Sequence, residues 1–148
     1  MKRTCLLALI VVGFVSNALV YVNSQDLSQV KQEVTKLSDT VYLLVPNPPL
    51  GGNLAVSVGS DGILLVDDQM MPMTPGIREA VSSLQEGNIE YLVNSHYHYD
   101  HAGGNEAFGD RSTIVAHHNV HKRLAEGREA GPRFIEGTRP LEALPNIT

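Results

Sequence analysis

His96-Tyr97-His98-Tyr99-Asp100-His101 sets three imidazoles and one carboxylate within six residues. His96 and His98 stand two apart, so in an extended segment leaving a strand both point to the same side. Two imidazoles on one side can share a metal ion at about 2.0–2.1 Å each. Asp100 and His101 follow where the chain must turn, and they can face a second ion roughly 3.5–4 Å from the first. Gly103-Gly104 permits the turn and lets backbone approach the site closely. Nitrogen and oxygen donors without sulfur suit zinc best, with iron or manganese as alternatives. The competing reading is a solvated loop that happens to be rich in histidine. Placement straight after the apolar run Ile89–Val93 argues for metal.

Outward from this segment the chain alternates strands and helices. Thr40–Val45 is β-branched and apolar, a predicted strand, and Pro46 to Gly52 reads as a loop that continues no strand. Leu54–Val58 and Ile63–Val66 flank the turn signal Ser60-Asp61-Gly62, which predicts a hairpin. Asp67-Asp68 closes the second of these strands. Ile77, Val81 and Leu84 recur at helical spacing after Thr74-Pro75, predicting a helix over 75–86 with Thr74 as its N-cap and Gly87 as its stop. Downstream, Thr113–Ala116 is a strand and His118–Glu126 a helix. Gln25 to Lys36 reads as a polar leader, and the text after Gly127 is punctuated by Gly and Pro with no clear element. Strand, strand, helix, strand, helix implies α/β layering on a mixed sheet.

Composition narrows the partners. The 148 residues are 43% hydrophobic and 18% charged, which excludes a disordered chain, and the net charge is −5. Met1-Lys2-Arg3-Thr4 followed by the apolar run Cys5 to Val15 describes an export signal over 1–24, cleaved before Gln25 or after Ala18. The product is then periplasmic or secreted. An uncleaved anchor helix is the alternative, and it would be the chain's only tie to a membrane; Ser16 and Asn17 interrupt it. Loss of Lys2 and Arg3 leaves nine basic against sixteen acidic residues, a net charge of −7. With no basic stripe, nucleic acid is excluded as a partner and a small-molecule substrate is expected. Cys5 is the sole cysteine and lies in the signal, so the mature chain has neither a disulfide nor a thiolate ligand.

The histidine segment resembles the hallmark His-x-His-x-Asp-His of the metallo-β-lactamase superfamily. Gly51-Gly52-Asn53-Leu54, Asp61 to Asp67, Asn94 to Asn105 and Ile114 to His117 are similar to other blocks of that family, so the resemblance covers about 40 to 126. It implies the N-terminal half of an αββα sandwich, a mixed sheet with helices on the outer face. It implies that His96 and His98 ligate a first zinc and that Asp100 and His101 ligate a second. Asp100 would also orient the bridging hydroxide, and Asp67 would hold the metal loop by hydrogen bonds. The Pro46–Asn53 loop would overhang the site. The implied activity is that of an exported zinc hydrolase, whose hydroxide attacks the carbonyl of a lactam, lactone, ester or thioester. An iron-dependent oxidoreductase on the same fold and a non-catalytic metal-binding half-domain are the alternatives.

In the family the remaining ligands come from a second half. No histidine follows His121 here and no aspartate follows Asp110. The segment 25–148 is therefore expected to be the N-terminal part of such a domain, incomplete at its C-terminus and inactive as a fragment, with one sheet face left uncovered. A homodimer that rebuilds the sandwich is the alternative. His117 and His121 are four apart on the expected helix, but His118 stands where a zinc-protease helix needs Glu. They are read as surface histidines.

Overall fold

The computed structural model describes residues 26–127 and 138–148. The expected export segment 1–24 lies outside the described residues. Strands β1 (Lys31–Lys36), β2 (Val41–Asn47), β3 (Leu54–Gly59) and β4 (Gly62–Val66) form an antiparallel meander. Strands β5 (Ile89–Asn94) and β6 (Thr113–Ala116) extend it in parallel, so the six strands lie in sequence order. Helix α1 (Thr74–Leu84) connects β4 to β5. The connection from β5 to β6 carries the histidine segment and two short helices, α2 (Tyr99–Ala102) and α3 (Asn105–Phe108). Helix α4 (His118–Glu126) follows β6 and ends on Gly127, whose φ of 67° provides the left-handed cap. This is a mixed α/β sheet with helices, as the pattern predicted.

Period-two alternation sorts the sheet residues into two faces. Val56, Leu65, Leu92 and Ile114 are register partners across four strands, and each is at most 1% exposed. They pack against Ile77, Ala80 and Val81 of α1 and Phe108 of α3. One position along, Leu43, Ala55, Val66, Val93 and Val115 form the matching row on the opposite face. Along that face, which was expected to stand open, the row is half-buried where neighbouring side chains shield one another across the ladder, and Tyr91 is 45% exposed. Ile147 bridges to Val115 and prolongs the row beyond β6.

Three local readings are corrected. The polar leader is in part β1, a strand whose residues are mostly exposed and which, among the described residues, pairs with β2 alone, so it carries no alternation to detect. Pro46 lies inside β2 and pairs with Gln32. Pairing with β3 ends at Leu44 opposite Leu54, so beyond that point β2 has a neighbour on one side only and a missing N–H is tolerated. Thr74 is the first helical residue rather than the cap; its hydroxyl donates to the Met71 carbonyl at 3.0 Å.

Candidate metal centre

Parallel pairing of Val66 with Val93 brings the ends of β4 and β5 side by side. Asp67 therefore emerges next to Asn94-Ser95, and its N–H donates to the Val93 carbonyl at 2.8 Å. Asp67 is 5% exposed and adopts φ 61°, a left-handed conformation that turns its carboxylate beneath the histidine segment. Its Oδ1 accepts from the Ser95 N–H at 2.7 Å, and its Oδ2 accepts from the Ser95 hydroxyl at 2.7 Å. Oδ2 also meets His101 Nδ1 at 2.9 Å. Ser95 Oγ lies 3.0 Å from His96 Nδ1.

Counting protons assigns both tautomers. A carboxylate only accepts, so His101 carries its proton on Nδ1. The one hydroxyl proton of Ser95 is given to Asp67, so Ser95 accepts from His96, which carries its proton on Nδ1 as well. Both imidazoles are left with a bare Nε2 lone pair, the form a metal ion requires. One buried carboxylate thus sets two rings.

The rings converge. His96 and His98 have centroids 4.6 Å apart in an edge-on arrangement, and His96 and His101 are 4.0 Å apart. His98 is the N-cap of α2, and its carbonyl receives the N–H groups of His101 and Ala102 at 3.0 and 2.9 Å. Asp100 and His101 share that one-turn helix, where Asp100 Oδ2 lies 3.5 Å from His101 Nε2. Burial pushes the His96 pKa below its ordinary value, and positive charge on His101 and His98 would push it further. The charges of Asp67 and Asp100 oppose that shift without cancelling it.

Two buried residues beyond Asp67 escaped the sequence reading. Asp68 is fully buried; its N–H donates to the His101 carbonyl at 2.9 Å, and its Oδ1 accepts from the Gly104 N–H at 2.8 Å. A Cβ at Gly104 would stand 2.7 Å from the Asp68 carbonyl oxygen, so only glycine fits this approach. Burial raises the Asp68 pKa well above 3.8, opposed by the Gly104 N–H and reinforced by the Asp67 charge. Gln69, also fully buried, donates to the Gly52 carbonyl at 2.6 Å. A run of two acids and an amide after a strand resembles a solvated turn, and no spacing rule separates the two cases. Further along, Asn94 and Asn105 exchange amide hydrogen bonds at 2.9 Å each, and Asn105 also donates to the Ala143 carbonyl at 2.8 Å.

His117, His118 and His121 serve their helix. His117 is the N-cap of α4, accepting from the Asn119 N–H at 3.2 Å, and its ring lies 4.3 Å from that of His118. His121 donates to the Pro145 carbonyl at 2.9 Å.

The donor chemistry fits a divalent ion. Two donors at about 2.0–2.1 Å from a tetrahedral ion lie roughly 3.4 Å apart, close to the 3.5 Å between Asp100 Oδ2 and His101 Nε2. Among the described residues, no group of three His, Cys, Asp or Glu side chains is arranged to hold a metal ion.

A mixed α/β sheet thus gathers, at its strand ends, a histidine-rich turn above a buried aspartate. The sequence profile of the metallo-beta-lactamase superfamily matches residues 49–143, and the chain belongs to that family. The probable metallo-hydrolase YqjP of Bacillus subtilis (strain 168) is 32% identical over 89 residues, which are 53% of this chain and 26% of that protein. A metallo-beta-lactamase of Cronobacter sakazakii with a HARLDQ motif superposes with a TM-score of 0.64 at 19% identity, over 79% of this chain and 46% of that one. The metallo-beta-lactamase FIM-1 of Pseudomonas aeruginosa, solved in a mono-zinc form, gives 0.54 at 21% identity, over 65% and 46%. The chain spans about a quarter of the curated relative and about half of these structural neighbours.

Proposed function

We propose that this chain carries the N-terminal side of a zinc-dependent hydrolase centre, acting outside the cytoplasm on a small molecule with an electrophilic carbonyl: a lactam, lactone, ester or thioester. The observation that carries this reading is the Asp67–Ser95–His96 and Asp67–His101 network, which leaves two converging rings with bare Nε2 atoms. His96, His98, Asp100 and His101 would hold the metal. When bound, it would supply Lewis acidity and a coordinated water with a pKa near 7.

The chain's own groups do the rest. Asp67 accepts from His101 Nδ1 and from the Ser95 hydroxyl, whose oxygen accepts from His96 Nδ1, and so fixes ring orientation before any ligand arrives. Asp100 adds an acidic oxygen beside His101 that can accept a proton or orient a nucleophile. The mono-zinc form of the P. aeruginosa enzyme supports zinc as the metal. The basic start and apolar run of the first 24 residues support export.

The test takes the protein from its native source, measures zinc, iron and manganese per chain, and assays turnover of a lactam, a lactone, an ester and a thioester. Zinc at one or two per chain with turnover of one of these upholds the reading. Iron with no hydrolysis overturns it.

A further inference from the structure

Gln69 sits at the back of the centre, fully buried, with φ 57°. That left-handed conformation is uncommon for a long side chain, and such strain persists only where the surroundings enforce it. Its amide is used at both ends. Nε2 donates to the Gly52 carbonyl at 2.6 Å, and Oε1 accepts from Gln32 Nε2 of β1 at 3.0 Å. Gly52 comes close against the His101 ring: a Cβ there would stand 2.5 Å from Cε1 and 2.9 Å from each ring nitrogen. The Gly52 N–H reaches towards the Asp100 carbonyl at 3.4 Å, and a Cβ on Gly51 would touch Asp100 Cβ at 3.3 Å. The loop before β3 is thus pressed on the two neighbouring donors, Asp100 and His101, and the bond from Gln69 is what its carbonyl offers in return.

We propose that Gln69 is a positioning residue that latches the Gly52 backbone onto the His101 ring, so that His101 is held between Asp67 on its Nδ1 edge and the Gly52 peptide. It rests on the metal-centre reading for its consequence, the orientation of a ligand ring, but the latch itself exists without metal. Edge strand β1 takes part through Gln32, which ties the first strand of the sheet to the rim of the centre.

Two variants test the latch in the full chain. Gln69→Met keeps length and removes the amide. Gly52→Ala keeps the amide and drives a methyl group against the ring. Long-range proton–nitrogen spectra of the metal-free protein read the His101 tautomer and its Nδ1 proton, and zinc titration reads affinity. Both variants are expected to shift or split the His101 signals, to leave those of His118 in place, and to weaken zinc binding by about tenfold or more, as loss of a supporting contact to a ligand does. Wild-type His101 signals in either folded variant overturn the proposal. Should Gln69→Met fail to fold, Gly52→Ala decides alone: an unmoved ring means that the peptide does not position it. If the wild type takes up no zinc, the metal reading fails while the metal-free spectra still judge the latch.

Discussion

Asp67 Oδ2 stands 2.9 Å from His101 Nδ1, and the same oxygen holds the Ser95 hydroxyl that supports His96. The first consequence concerns Asp67→Asn. An amide there presents a donor where three donors already converge, so at least one of Ser95 N–H, Ser95 Oγ–H and His101 Nδ1–H loses its partner. Zinc affinity should fall by about 10–100-fold, as for other groups that orient metal-ligating histidines. Competition with a chromophoric chelator measures it, and unchanged affinity in a folded variant would show that the rings orient themselves.

Acid and Asp68 form a second case. Burial holds its pKa well above 3.8, so between 3.8 and the folded value the native state keeps a proton that the unfolded chain has released. The group's contribution is complete below 3.8 and is lost as pH rises through the folded value. Asp68→Asn, neutral throughout, should be at least as stable as wild type at pH 7.5 and lose that advantage at pH 3.5. Urea unfolding across the range checks this; a wild type that gains on the variant with rising pH contradicts it.

Histidine titration runs the other way. The His96 pKa lies below 6.5, so the folded state favours the neutral ring. Its contribution is full above 6.5 and is lost as pH falls through the depressed value. Nitrogen chemical shifts of the metal-free protein should show His96 still neutral with its proton on Nδ1 at pH 6.5. A charged His96 at that pH would refute the burial argument.

Stability of the turn depends on the amide exchange between Asn94 and Asn105. Asn105→Ala strands the buried Asn94 amide and the Ala143 carbonyl, at a cost of about 1–3 kcal/mol for an unsatisfied buried group. Chemical denaturation of both proteins measures the difference, and a loss well under 0.5 kcal/mol would mean that water replaces the pair.

Much of this was legible because its signals are dense. Three imidazoles and a carboxylate in six residues, set after an apolar strand, name both a chemistry and a place. The hairpin was readable from Ser60-Asp61-Gly62, and α1 from the helical spacing of Ile77, Val81 and Leu84. Strand β1 was hidden because an exposed edge strand buries nothing that would pattern its sequence. Pro46 misled because the rule against proline applies to strands paired on both sides, and β2 loses one neighbour after Leu44. Asp68 and Gln69 were hidden for a different reason. Their polar side chains are buried because Gly104 and Gly52 come to meet them from 36 and 17 residues away, and only the folded chain brings those partners near.

The proposed site puts His96, His98 and His101 on one metal centre. Zinc titration of the metal-free chain, followed at all six imidazoles, decides whether they act together. Saturable, concerted shifts of His96, His98 and His101 are expected, with His117, His118 and His121 unmoved. Shifts confined to the second group, or none that saturate, would contradict it.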